Sequence, residues 1–251
     1  MNYFFDMDGT LTPSRSLIEK GMVEALKKLS EKHNVIVVSG SKYSQMEQQL
    51  KEAVPFVHFK LAQSGNHAIR WDSENPVEDE RLWLNELEWM QKAEVYKYLL
   101  ETKTAWQLEL PNFGLCDWED LLEDRGCQIS FSFVGHHADI EDKKKFDPDF
   151  AKRKDFLKEY PFESNSMEVR IGGTTCFDFM QIGRNKGFFV SKLIKNQNWR
   201  KEDCVYVGDA LFPGGNDETV VGVIKTMQVA NTQETLEFIN KELEGDNTFK
   251  Q

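Results

Sequence analysis

The sequence predicts an α/β protein whose parallel sheet is interrupted by a separate α+β insert. Three observations carry that expectation. Apolar, β-branched runs alternate with amphipathic stretches over residues 1–60, and the same grammar returns near the carboxyl end. Between them the chain switches to aromatic-rich helical stretches followed by strict two-residue alternation.

The elements follow in order. "NYFF" (Asn2–Phe5) is a short apolar run ending at a turn, which makes a strand. From Leu17 to His33 the apolar residues Ile18, Met22, Leu26 and Leu29 fall on one helical face. "VIVV" (Val35–Val38) is a continuous β-branched run, the pattern of a strand buried on both sides, with "SGS" after it. Tyr43–Ala53 reads as a second helix, and this βαβα order calls for parallel strands joined by right-handed crossovers. In "QISFSFVG", Ile129, Phe131 and Phe133 point one way and Ser130 and Ser132 the other. "MEVRI" and "CFDFMQ" repeat the alternation, so antiparallel strands with one dry and one wet face are expected. The insert is placed at residues 81–181, leaving 1–80 and 182–251 as the core. In the second half of the core, Lys186–Asn196 reads as a helix and "CVYVGD" (Cys204–Asp209) as a strand entering a loop. "GVIKTMQV" holds another strand, and Thr232–Leu243 is the closing helix.

Composition narrows the partners. The 251 residues are 40% hydrophobic and 29% charged, enough apolar mass for an ample core and too much for a disordered chain. A formal charge of −11 disfavours nucleic acid and anionic membranes as partners, while leaving room for a small anionic substrate at a local cationic cleft. The amino terminus enters a strand without a basic or apolar leader, and no apolar run reaches membrane length. Four cysteines (Cys116, Cys127, Cys176, Cys204) lack C-x-x-C spacing, the usage of reduced thiols in a cytoplasm.

Two aspartates one residue apart, Asp6 and Asp8, end the first strand, where mutual repulsion and desolvation are both costly. They read either as caps of a polar turn or as ligands of a hard cation beside an electrophile. A calcium loop fails on spacing, because Leu11 stands where that loop needs glycine. A second acidic stretch, "GDALFPGGND", follows the strand that ends near Asp209. Alone it is ordinary turn chemistry. Paired with the first, it lets Asp6, the main-chain carbonyl of Asp8, and Asp209 supply oxygen ligands to Mg²⁺ from adjacent strand ends. Ser39 and Gly40 in "VVSGS" can donate to phosphate oxygens, and Lys186 in "GRNKGF" can neutralise phosphate from a helix start.

Taken together, D-x-D-G-T at Asp6–Thr10, Ser39, Lys186 with Gly187, and Gly208–Asp217 resemble the haloacid dehalogenase (HAD) superfamily of phosphoryl-transfer enzymes. The resemblance implies a Rossmann-like parallel-sheet core with an inserted cap domain of the type-2 kind. "FDMDGTLTPSR", "SGSKYSQMEQQL", "IGGTTCFDF" and "GDALFPGGND" further resemble eukaryotic-type phosphomannomutases and related sugar-phosphate phosphatases, whereas residues 74–118 match loosely.

That resemblance implies Asp6 as nucleophile, Asp8 as general acid and then base, and Mg²⁺ as cofactor. Ser39 and Lys186 would stabilise the transferring phosphoryl group. Asp217 would be an outer, water-mediated metal partner, with Asn216 fixing the loop. Arg15, Arg125 and Asp178 fall on substrate-binding positions of the pattern, although Arg125 and Asp178 also suit wet-face strand residues. His136 stands where the pattern has a second cap arginine, and Gly114 is near the place of a third. Cys176 replaces a serine and Ser39 a glycine. Fewer cap cations weaken a grip on a distal phosphate more than they weaken simple hydrolysis. The leading expectation is therefore a Mg²⁺-dependent phosphohydrolase of a small phosphorylated metabolite, a sugar phosphate. A hexose-phosphate mutase comes second and a catalytically silent binding protein third. The aromatic-rich stretch from Trp83 to Trp118 fits a homodimer interface through the cap, or, as preferred here, the cap's own core.

Overall fold

A computed structural model of the chain describes residues 1–71, 80–109 and 118–248. Gly114 and Cys116 lie outside the described residues. The chain forms two compact units: Met1–Leu84 with Arg184–Pro213 and Asp217–Gln251, and Asn85–Gly183 with Gly214–Asn216.

The first unit is built on a seven-stranded sheet. In chain order it contains β1 (Asn2–Asp6), α1 (Lys20–Ser30), β2 (Asn34–Val38), α2 (Tyr43–Leu50), β3 (Phe59–Ala62), β4 (His67–Arg70) and β5 (Glu80–Leu84). The second unit contributes α3 (Trp89–Glu109), α4 (Trp118–Leu121), β6 (Leu122–Asp124), β7 (Ile129–Ser132), α5 (Ile140–Phe146), α6 (Ala151–Glu159), β8 (Met167–Gly172) and β9 (Cys176–Gln181). The chain then returns to the first sheet with α7 (Lys186–Asn196), β10 (Cys204–Gly208), β11 (Lys225–Gln228) and α8 (Thr232–Thr248).

The strand order β11-β10-β1-β2-β3-β4-β5 puts β1 at the centre of the five parallel strands, beside β10 and β2. Its residues are buried from end to end, because helices cover both faces of the sheet and form two apolar clusters. Register pairs Phe5 with Val207 and Asp6 with Val38, so Asp6, Ser39 and Asp209 all fall at one carboxyl edge. This is where a parallel sheet opens to ligands.

Two features of this unit depart from the sequence reading. The helix expected over Tyr43–Ala53 stops at Leu50 and tightens into a 3₁₀ segment, Lys51–Phe56. Pro55 lacks an amide donor and disfavours helical geometry at Val54, so the α-helix cannot continue through it. The sheet also gains an antiparallel edge, β3-β4-β5. Trp83 on β5 stacks on Phe189 of α7 and donates to the Gly65 carbonyl at 2.8 Å. It thus serves the first unit rather than the insert.

The insert carries an antiparallel sheet, β6-β7-β9-β8. Phe131, Phe177 and Phe179 alternate onto one face and pack with Val95, Tyr98 and Leu99 of α3 and Phe156 of α6. The opposite face is polar, as the alternation requires, but only part of it is wet: Arg170 and Glu123 remain partly exposed. Ser130 and Ser132 are fully buried, with the Ser132 hydroxyl 3.0 Å from that of Thr175 and His136 Nε2 3.3 Å from the Ser130 carbonyl. Arg153 is also fully buried. It donates to Asp147 at 2.7 Å and to the carbonyls of Gly172, Gly173 and Cys176, pinning the β8–β9 turn to α6.

Phe177 is fully buried, and its ring meets Phe133 edge-on at 4.9 Å. Phe177→Ala should cost about 3–5 kcal/mol of the insert's stability, read as an earlier urea transition. A loss well under 1 kcal/mol would show that this aromatic cluster does not hold the insert together.

Candidate active site

Asp6 ends the central strand and is 2% exposed. Its Oδ1 accepts from Lys186 Nζ at 2.5 Å, and the same ammonium donates to Asp217 Oδ1 at 2.7 Å. Lys186 is itself buried, at the first position of α7, where Asn185 caps the helix by accepting from the Phe188 amide at 3.1 Å. Gly187 explains how the helix start comes this close. A Cβ there would strike the Thr219 carbonyl, and the Gly187 amide donates to Thr219 Oγ1 at 3.1 Å. Asp217 is completed by Tyr206 of β10, whose hydroxyl donates to Oδ1 at 2.6 Å.

Asp6, Asp209 and Asp217 each present a carboxylate oxygen within 4.8 Å of the other two. Burial pushes the Asp6 carboxyl well above the usual carboxylate range. Asp217 and Asp209 add to the rise, and Lys186 opposes it. Burial and the Asp217 charge push Asp209 up to about 6. Burial works to discharge Lys186, but Asp217 and Asp6 prevail and hold its pKa above the ordinary lysine value. Tyr206 is raised well above a normal phenol by burial and then by Asp217. Such a cluster calls for a further positive charge. Asp6 Oδ2 is buried and has no hydrogen-bond partner among the described residues. The donor set is all hard oxygen, which fits Mg²⁺. Gly9, at φ +86°, leaves room for the Asp209 carboxylate where a Cβ would collide with it.

Asp8 faces elsewhere. Its Oδ1 accepts from the Arg15 main-chain amide at 2.6 Å and from Gln49 Nε2 at 3.2 Å. Arg15 therefore meets the site through its backbone, turned by a φ of +53°. Ser39 is buried, and its Oγ accepts from the Ser41 amide at 3.1 Å, a bond that uses an oxygen lone pair and not the hydroxyl proton. Gly40 follows in the same turn, where an added Cβ would meet open space. Asn216 is exposed in the turn before Asp217, and the loop is closed by the Asp217 amide donating to the Ala210 carbonyl at 3.1 Å. Gln228, on β11, accepts from the Leu211 amide and donates to the Asp209 carbonyl, fixing the start of that loop.

Within the insert, Arg125, His136 and Asp178 lie near one another, gathered by Glu123. Arg125 donates to Glu123 Oε2 through Nε at 2.9 Å and Nη2 at 2.7 Å, and its Nη1 is 4.0 Å from Asp178 Oδ1. His136 Nδ1 is 3.8 Å from the same Glu123 oxygen. Burial opposes the charge of Arg125, but Asp178 and Glu123 more than offset it. Sheet register sets Glu123, Ser130, Asp178 and Arg170 in one row across β6, β7, β9 and β8. Tyr206, Gln49, Gln228 and Glu123 were not anticipated from sequence. Tyr206, Gln49 and Gln228 act on partners distant in sequence, which no local spacing marks, and Glu123 acts on Arg125 two residues on.

The chain that builds this constellation at the carboxyl edge of a parallel sheet belongs to the haloacid dehalogenase-like hydrolase family, whose sequence profile matches residues 3–219. Phosphomannomutase from Schizosaccharomyces pombe is 25% identical over 249 residues, covering 94% of this chain and 92% of that protein. The Saccharomyces cerevisiae phosphomannomutase is 28% identical over 222 residues, covering 85% and 82%. Among solved structures, IMP-bound Plasmodium falciparum IMP-nucleotidase shares the fold with a TM-score of 0.63 at 16% identity, over 97% of this chain and 68% of that one. A phosphatase of the same superfamily from Bacteroides thetaiotaomicron aligns with a TM-score of 0.61 at 12% identity, over 94% and 86%. Among the described residues no helix is long and apolar enough to cross a membrane.

The raised Asp209 has a consequence for stability. Its folded value, about 6, lies above the ordinary 3.8, so ionisation costs the folded state. The penalty is absent below the ordinary carboxylate range and complete above about pH 6, on the order of 2 kcal/mol. In EDTA at pH 7, Asp209→Asn should therefore raise the melting temperature by several degrees, and excess Mg²⁺ should stabilise wild type more than the variant. A variant that melts lower than wild type in EDTA would contradict the electrostatic account.

Proposed function

We propose that the protein is a Mg²⁺-dependent phosphohydrolase of a small phosphorylated metabolite, a sugar phosphate, working through an aspartyl-phosphate on Asp6. The observation that carries this reading is the unpartnered Oδ2 of Asp6, inside a buried carboxylate cluster clasped by Lys186. Oδ2 attacks phosphorus while Lys186 holds Oδ1, which orients the nucleophile and opposes its protonation. As the bond between phosphorus and the ester oxygen breaks, Asp8 gives its proton to the leaving oxygen. Asp8 then takes a proton from water, whose oxygen attacks the phosphoaspartate and releases inorganic phosphate and free Asp6. Ser39, the Gly40 turn and Lys186 bind the phosphoryl oxygens as their charge redistributes. Asp6, Asp209 and the Asp8 carbonyl would hold Mg²⁺, which would supply further neutralisation of that charge. Asp217 would meet the ion through water and, with Tyr206, keeps Lys186 in place.

The insert supplies selectivity through Arg125, His136 and Asp178, with Arg15 contributing from the core. The three described cysteines are free thiols, which supports a reducing, cytoplasmic setting. The curated relatives named phosphomannomutase favour a second reading, in which a sugar-phosphate hydroxyl replaces water as acceptor. His136 in place of an arginine weighs toward hydrolysis, because imidazole is neutral for much of the time at pH 7 and lacks a guanidinium's fork.

Mannose 1-phosphate with Mg²⁺ separates the two: free phosphate is the expected product, whereas mannose 6-phosphate formed in the presence of a hexose bisphosphate would install the mutase. Asp6→Asn should abolish turnover, by at least about 10³-fold, and still fold, since Lys186 keeps Asp217. Near wild-type turnover would remove Asp6 as nucleophile. Arg125→Ala should weaken substrates with a distal charge more than a generic aryl phosphate, and equal losses would count against a role in recognition.

A further inference from the structure

We propose that Gln49 is the positioning residue for the Asp8 carboxyl group. The inference rests on the reading of Asp8 as proton donor and acceptor. Gln49 lies on the buried side of α2, 4% exposed, and contributes nothing to the carboxylate cluster. Its Nε2 donates to Asp8 Oδ1 at 3.2 Å and to the Ser16 carbonyl at 3.4 Å. Its own main-chain carbonyl accepts from the Ile18 amide at 2.9 Å. The residue is thus tied twice to the loop of Arg15 and Ser16, and that loop donates the second hydrogen bond to the same Asp8 oxygen. Asp8 is held in a two-donor grip, one donor from a main chain in left-handed conformation and one from a buried side chain.

The other end of the amide is the telling feature. Gln49 Oε1 is buried and has no hydrogen-bond partner among the described residues. An ionised carboxylate accepts only, whereas a protonated one must also donate. A primary amide carries both a donor and an acceptor, and its two ends exchange by rotation about one bond. Gln49 can therefore serve Asp8 in both forms the reaction passes through: Nε2 donates to the carboxylate, and Oε1 accepts from the acid. A lysine at this position would suit only the first form and a glutamate only the second.

The test uses leaving groups. A nitrophenolate departs without a proton and a sugar alkoxide does not, and kcat/KM in a two-step transfer reports the first half-reaction. Gln49→Met removes both ends of the amide at nearly constant volume, and Gln49→Glu replaces the donor by a second acceptor that carries negative charge toward Asp8. Both are compared with wild type in Mg²⁺ on p-nitrophenyl phosphate and on a hexose 6-phosphate. In both variants kcat/KM should fall about 10- to 100-fold on the hexose phosphate and by less than about threefold on the aryl ester. Equal losses on the two esters, in folded protein by thermal melt, would mean a merely structural role and overturn the proposal, as would an undiminished hexose phosphate rate. Should the methionine variant fail to fold, the glutamate variant decides alone by the same criterion. Asp8→Asn is the reference: if it too spares the hexose phosphate, the fault lies with the acid–base reading and not with Gln49.

Discussion

The buried ammonium of Lys186 is the interaction on which the rest of the core depends. Three carboxylates gathered at the end of a central strand repel one another in a medium that screens poorly, and the fold survives that arrangement because one cation sits against Asp6 and Asp217 together. The reach is short and sterically exacting. It requires α7 to begin beside the Asp217 loop, which in turn requires that residue 187 have no side chain. Breaking a buried pair of this kind by removing one partner commonly costs about 3–5 kcal/mol, so the residues that prepare the chemistry are also those that hold the sheet's carboxyl edge together. The compensation is incomplete, as the raised values at Asp6 and Asp209 record. The protein thus gathers unfavourable charge at one place, the carboxyl edge of its parallel sheet.

The insert solves a different electrostatic problem. Its charges are not stacked against one another but matched in neighbouring pairs along a sheet face, with Glu123 between Arg125 and His136 and Asp178 within reach of the same guanidinium. A matched array of this sort distinguishes ligands by where their hydroxyls and charges fall and not by total charge.

Much of the fold was legible in the sequence because its strongest signals are local. Val35–Val38 is β-branched without interruption, and Lys186–Asn196 carries a helical stripe from its first residue to its last. The motif aspartates were legible for a similar reason: two carboxylates closing an apolar strand have few inexpensive explanations. What escaped notice was set by long-range pairing. Glu80–Leu84 looks polar and weak as a strand, and only its hydrogen bonds to β4 and the lodging of Trp83 against Phe189 make it one. Ser130 and Ser132 read as solvent-facing because alternation reports polarity, and polarity does not reveal what later folds over it. Gln49 and Tyr206 carried no signal at all, since an amide inside an amphipathic helix and a tyrosine inside a strand are ordinary residues until a partner arrives from elsewhere.

Tyr206 has one more consequence. Encased on every side and facing Asp217, its phenol cannot release a proton without placing a fourth anion among three. The cluster therefore includes a donor that keeps its proton well beyond the pH at which an ordinary phenol gives it up. The Asp217 carboxylate, which also holds the Lys186 ammonium, thereby keeps a neutral anchor where a second cation would have been the ordinary alternative.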